Sequence, residues 1–212
     1  LAWYFKDEIF KLKNQLSKKN FYYLINKKLI WSILIATIPI ILFGGSVKLF
    51  FTQFFDKFLR SNLSIALVSF FMAFFMYLAD RWKKGTINLK NHNYSNIFWV
   101  GLSQAFAIFP GVSRSGVTIS TALLTGWERG DAVKFSFLLG IPAISFSGIF
   151  ELISSFNKFS SLSFLPLIVG LITSFLSSLF AIYFLVNYFS SNGLKIFVLY
   201  RVVFGVLILL NL

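Results

Sequence analysis

Long apolar runs separated by short polar segments dominate the chain. Residues 29–55, 62–79, 135–156, 162–189 and 195–212 each form a run at least as long as the shortest membrane-crossing helix, about 17 residues. Charged residues are rare within these runs. The pattern predicts an all-α polytopic membrane protein, organised as a single integral membrane domain over residues 1–212.

Two shorter apolar runs, residues 96–109 and 117–127, flank a polar turn that contains glycine. Because neither run is long enough to cross a bilayer alone, we expect a re-entrant helix pair whose turn, around residues 110–120, lies near the middle of the membrane. Irregular backbone at that depth has to be buried in protein or line a polar cavity. The alternative is one continuous span, kinked at Pro110, with Arg114 facing lipid or another helix.

Two basic segments, residues 6–28 and 80–95, stand before and after the first two spans. Since two spans separate them, they lie on the same side of the membrane, which the positive-inside rule identifies as the cytoplasm. Part of the first segment also has the spacing of an amphipathic helix that lies along the membrane surface. His92, in the second segment, is the only histidine and is predicted to have no catalytic role.

Composition and charge agree with a membrane protein. With 57% hydrophobic residues and a mean hydropathy of +0.77, the chain is too apolar for a soluble domain. The formal net charge of +13 does not indicate nucleic-acid binding, because the lysines lie in short segments beside apolar spans. The chain has no cysteine, which excludes disulfides, thiolate metal sites and cysteine nucleophiles within it.

The candidate chemistry lies in the turn between the two short runs. A charge between membrane-embedded runs is costly and marks a functional site by default, and Arg114 is such a charge. A helix that starts near Ser115 would direct its free N–H groups toward Arg114. Neighbouring glycines allow close backbone approach and hydroxyls supply further donors. The predicted phosphate site comprises Gly111, Ser113, Arg114, Ser115, Gly116 and Thr118.

Two other polar residues inside apolar runs have two interpretations each. Gln104, about a turn and a half before Pro110, either faces the phosphate site or packs between helices. Arg201 lies inside the last run, where extension of its side chain to the membrane interface accounts for the charge; a place in the polar site is the alternative.

The motif resembles that of the undecaprenyl-diphosphate phosphatases, also known as bacitracin-resistance proteins. The resemblance rests on Pro110-Gly111-Val112-Ser113-Arg114-Ser115-Gly116-Val117-Thr118-Ile119-Ser120, on Phe135-Ser136-Phe137-Leu138-Leu139 with Pro142, and on Tyr200-Arg201. It implies an inverted-repeat bundle with re-entrant helix pairs. It also implies hydrolysis of undecaprenyl diphosphate, an isoprenoid lipid, to undecaprenyl phosphate in the bacterial plasma (inner) membrane, which recycles the carrier for cell-wall synthesis.

The resemblance further implies roles for individual residues and a cofactor. The positions matched by Ser113, Arg114 and Thr118 contribute to the diphosphate site, with Gly111, Ser115, Gly116 and Gln104 as candidate substrate contacts. A divalent cation, Mg²⁺ or Ca²⁺, is expected to support activity. Besides the lipid substrate and membrane lipids, the expected partners include no nucleic acid, and a homodimer is left open.

One signature of that family is not matched. The acidic and serine-rich stretch of its first repeat, which supplies carboxylates and the proposed nucleophile, has no counterpart in these 212 residues and is expected upstream of Leu1. The metal ligands therefore stay unassigned. A lipid-phosphate flippase or anion transporter, which would use the same arginine-centred site without hydrolysis, is the alternative function.

Overall fold

The computed structural model describes residues 21–50, 59–82, 85–154 and 164–210. Within these ranges the chain forms seven α-helices and one short 3-10 helix. In chain order they are α1 Phe21–Phe50, α2 Asn62–Arg81, α3 Tyr94–Ala105, the 3-10 helix Phe106–Ile108, α4 Arg114–Leu124, α5 Arg129–Ser154, α6 Phe164–Asn192 and α7 Lys195–Leu210. Predictions for residues 1–20, and for the ends of runs at 51–58, 155–163 and 211–212, lie outside the described residues.

The all-helical prediction is confirmed for the described part of the chain. Four helices, α1, α2, α5 and α6, contain segments that are long and apolar enough to cross a membrane. Two predicted boundaries were wrong. α1 begins at Phe21, so Lys27 and Lys28 are helical rather than part of the basic loop. α5 begins at Arg129, six residues before the predicted start of the apolar run at residue 135.

Small residues allow the helices to pack closely. α3 lies against α1 where Gly101 meets Ala36, and a Cβ atom at Gly101 would come within 2.6 Å of the Ala36 Cα. α7 packs along α2, and its Gly205 leaves room for the ring of Phe70. Such small-residue contacts are the usual way in which membrane helices approach one another.

The short helices α3 and α4 form a hairpin whose two outer ends meet. Ile87, before α3, donates its N–H to the Gly126 carbonyl at 3.0 Å and accepts from the N–H of Glu128 at 2.7 Å. The Asn96 side-chain amide donates to the Thr125 carbonyl at 3.1 Å. The chain therefore does not form one kinked helix through Pro110. We call this closed end the base of the hairpin, and residues 109–113, at the other end, the tip.

Two interactions between helices hold the base. Asp80, near the end of α2, forms a 2.8 Å ion pair with Arg129 at the start of α5. His92 is buried, its Nε2 lies 2.9 Å from the Ser32 hydroxyl on α1, and its ring stacks on Trp127 with centroids 5.6 Å apart. The loop histidine predicted to have no catalytic role thus connects α1 to both ends of the hairpin.

His92 makes the stability of the base depend on pH. Burial, and secondarily the nearby Lys28 ammonium, lowers the pKa of His92 below its usual 6.5. The unfolded state then binds more protons than the folded state as the pH falls through 6.5. The contribution of His92 is therefore fully present above that pH and is lost as the pH falls toward the lowered value.

We expect the thermal midpoint of the purified protein in detergent to fall between about pH 7.5 and pH 5. In His92→Gln, which keeps a polar side chain but does not titrate, this decline is expected to be shallower. Equal slopes in the two proteins would show that His92 is not the titrating group.

Candidate functional site

The tip of the hairpin is a tight turn that is held from two sides. Gly111 has a φ of 92°, a conformation that favours glycine, and a Cβ atom there would lie 2.9 Å from the Ile65 carbonyl of α2. The Arg201 guanidinium of α7 donates a hydrogen bond to the Gly111 carbonyl. The interpretation in which Arg201 extends to the membrane interface was therefore wrong, and the alternative, in which the side chain reaches the polar motif, agrees with the structure.

Ser113 ends the turn and starts α4. Its side-chain oxygen accepts a hydrogen bond from the Gly116 N–H at 3.2 Å, which caps the helix. Gly116 itself packs against α2, since an added Cβ would lie 3.1 Å from the Met76 sulfur. The Gly116 N–H is thus already used, and by helix geometry the N–H groups of Arg114 and Ser115 are those that point out of the helix start.

Arg114 extends from the first turn of α4 onto α5. Its guanidinium lies in the space left by Gly140, where a Cβ atom would come within 2.1 Å of one terminal nitrogen. That nitrogen, Nη1, is buried and has no hydrogen-bond partner among the described residues. A buried donor without a partner is uncommon in proteins, so the described residues leave the hydrogen-bonding capacity of this nitrogen unmet.

Thr118 lies one turn below Arg114 and contacts the same neighbouring helix. Its hydroxyl donates to the Arg114 carbonyl at 2.9 Å, and its oxygen lies 2.6 Å from the Ser136 hydroxyl of α5. Either hydroxyl can donate in the second bond, since each carries one proton and can also accept. Thr118 is fully buried in these contacts and supports Arg114 from below.

The predicted residues separate into two groups. Gly111, Ser113, Arg114, Ser115 and Gly116 lie together on the tip and the first turn of α4, with Thr118 one turn further on. Gln104, near the end of α3, is fully buried, and neither atom of its amide has a partner within the described structure. Its unmet hydrogen-bonding capacity is consistent with a polar contact that the described residues do not supply.

Sequence reasoning gave no function to two residues of α5 that touch the site. Ser136 appeared only within the motif Phe135-Ser136-Phe137, and Gly140 was given no part in the site. Their separation by four residues places them on one face of a helix, as it does Arg114 and Thr118 on α4. This spacing could have indicated that the two residues of α5 act together. It does not reveal that α5 is the neighbour of α4.

The distance from the base to the tip can be counted in residues along α2 and α5. Val68 of α2, which the tip touches at Gly111, comes twelve residues before Asp80, and Gly140 comes eleven residues after Arg129. At a rise of 1.5 Å per residue, both helices place the tip about 17 Å from the base. For α2 this is more than half of its length.

A comparison with protein families identifies this arrangement. The family model described as bacitracin resistance protein BacA matches residues 1–207. The chain belongs to the BacA family. With its long apolar helices, this BacA chain is a multi-pass membrane protein.

Three curated relatives match most of the length of this chain. The undecaprenyl-diphosphatase of Prochlorococcus marinus strain AS9601 is 70% identical over 212 residues, which cover 100% of this chain and 77% of that protein. The one from strain MIT 9301 is 68% identical, with 100% and 80% covered. The one from strain NATL2A is 42% identical over 187 residues, with 88% and 67% covered.

The described residues do not fit a divalent cation at this site. Within residues 21–50, 59–82, 85–154 and 164–210, no three histidine, aspartate or glutamate side chains cluster as metal ligands. The chemistry that can be derived from the described residues is therefore the binding of an anion by Arg114 and by the start of α4.

Removing the Arg201 side chain should weaken the tip. Arg201→Leu leaves the Gly111 carbonyl without its charged donor, and we expect a loss of about 1.5–3 kcal/mol in the free energy of unfolding. Chemical or thermal unfolding in detergent measures it. Arg81→Leu is the matched control, because Arg81 is exposed and its described contacts are with Tyr77 alone, through the hydroxyl and the face of the ring. Equal losses in both variants would contradict a specific role for Arg201.

Proposed function

We propose that this chain hydrolyses undecaprenyl diphosphate to undecaprenyl phosphate and inorganic phosphate. The reaction would take place in the bacterial plasma membrane, recycle the lipid carrier for cell-wall synthesis and confer resistance to bacitracin. The names of the relatives and the family support the proposal. The structural observation that carries it is Nη1 of Arg114, which has no hydrogen-bond partner within the described residues and belongs to the first turn of a capped helix.

The proposed chemistry follows from the demands of phosphoryl transfer. Negative charge spreads over the equatorial oxygens of the transferred group, so fixed donors and positive charge supply most of the catalysis. Arg114 would bind two phosphate oxygens through its planar guanidinium, which a lysine does poorly. The free N–H groups at the start of α4 and the hydroxyl of Ser115 would add donors, while Ser113 and Thr118 hold the helix start in shape.

We further propose that the α3–α4 hairpin is re-entrant, as one element of an inverted-repeat bundle. The meeting of its two ends at Ile87 and Gly126 supports entry and exit at one membrane face. The lysines and arginines near residues 80–95 favour the cytoplasm for that face. The site would then lie deep in the membrane, where exposed apolar side chains of the long helices can accommodate an isoprenoid tail.

Support by Mg²⁺ or Ca²⁺ is proposed for the reaction as a whole. No step is assigned to the cation here, because no ligand cluster occurs among the described residues. The carboxylates and the nucleophile that the family resemblance implies are likewise not assigned to residues of this chain.

Substituting Arg114 tests the proposed function. We expect Arg114→Ala to lower the rate of phosphate release from undecaprenyl diphosphate by about 10²–10³, in line with the loss of other donors that stabilise an anionic transition state. We expect Arg114→Lys to recover only part of that loss, since a single ammonium group lacks the planar fork. A malachite-green assay on the detergent-purified protein, with Arg81→Lys as the control, measures both effects.

Two outcomes would overturn the proposal. Phosphate release by Arg114→Ala close to that of the unsubstituted protein would remove Arg114 from the site. Binding of the lipid that depends on Arg114, without any phosphate release by the unsubstituted protein, would favour the flippase or transporter.

A further inference from the structure

We propose that Gly140 and Ser136 of α5 are positioning residues that set the Arg114 guanidinium for the substrate phosphate. The substrate part of this inference rests on the proposed function. The coupling between α4 and α5 does not rest on the proposed function, because it follows from contacts within the chain.

Gly140 provides the space that the guanidinium occupies. A Cβ atom at this position would lie 2.1 Å from Nη1, 2.6 Å from Nη2 and 2.7 Å from Cζ of Arg114. These distances are far below van der Waals contact, so any other residue at 140 displaces the guanidinium. The atoms that would move belong to the end of a flexible side chain, whereas the helix backbone can stay in place.

Ser136 contacts α4 one turn further from the tip, at Thr118. On α4, Arg114 and Thr118 are four residues apart, and on α5, Ser136 and Gly140 are four residues apart, so each pair shares one helix face. Thr118 meets Ser136 at 2.6 Å, and Arg114 meets Gly140 one turn nearer the tip. The Thr118 hydroxyl also bonds the Arg114 carbonyl, which links the two contacts through the backbone.

This arrangement orients the guanidinium without neutralising it. Nη1 has no hydrogen-bond partner within the described structure, and the group is held at Gly140 by shape. A carboxylate in that place would hold the arginine equally well but would compete with the phosphate for its charge. A glycine places the side chain without supplying an acceptor that would compete with the phosphate for the charge of the guanidinium.

A double-mutant cycle tests the coupling. We expect Gly140→Ala to lower kcat for phosphate release by about 10- to 100-fold, because small misplacements of a catalytic group are costly, with a smaller change in KM. In the Arg114→Ala background the same change should alter kcat by less than about twofold, since no guanidinium remains to be displaced. Gly148→Ala is the matched control on α5, where an added Cβ meets nothing within 4 Å.

The thermal midpoint gives a second readout that does not require activity. In the protein that retains Arg114, Gly140→Ala should lower the thermal midpoint. In the Arg114→Ala variant, the same change should leave the midpoint unchanged. If Gly140→Ala alone does not fold, the double variant should recover a folded protein. Failure of the unsubstituted protein to release phosphate would overturn the proposed function, while the thermal cycle would still decide the coupling.

Two results would overturn the positioning role. The first is phosphate release by Gly140→Ala equal to that of Gly148→Ala. The second is an equal effect of Gly140→Ala in both backgrounds, whether in kcat or in the thermal midpoint, which would make Gly140 an ordinary packing residue.

Discussion

The Arg114 guanidinium, which packs between helices and has no carboxylate partner among the described residues, is the constraint on which the rest of this site depends. Removing a charge from water costs several kcal/mol unless other groups compensate. Among the described residues, the neighbours of Arg114 provide shape and backbone support but leave Nη1 without an acceptor. The tight turn at Gly111, the cap at Ser113 and the Thr118–Ser136 bond hold this arrangement in place. An anionic ligand would supply the missing opposite charge, which is why we relate the site to a lipid diphosphate.

The base of the hairpin is as important as the tip, because it fixes the register of the helices. The Asp80–Arg129 ion pair joins α2 to α5, and the bridge between Ile87 and Trp127 closes the hairpin. Once these contacts are formed, the helical rise determines which residues of α2 and α5 lie beside the tip. Arg201 then reaches the turn from α7, so that three neighbouring helices meet at one short motif.

Local features of this structure could be predicted from the sequence, and contacts distant in sequence could not. The spans, the two short helices and the helix start beside Arg114 all follow from apolar run length and from turn-forming residues. The Arg114–Gly140 and Arg201–Gly111 contacts depend on which helices are neighbours and in what register, and periodicity does not contain that information. The lysine-rich segment before residue 29 misled the prediction of the start of α1, because Lys27 and Lys28 are tolerated at the end of an apolar helix.

The hairpin geometry is the central claim, since the depth and environment of Arg114 follow from it. The most direct measurement is the labelling of single cysteines by a membrane-impermeant reagent in sealed vesicles, which is straightforward because the chain has no native cysteine. We predict that Lys90→Cys and Glu128→Cys, on either side of the hairpin, are labelled from the same face, and Asn62→Cys from the opposite face. Labelling of Lys90→Cys and Glu128→Cys from opposite faces would mean that α3 and α4 cross the membrane, and would contradict the account.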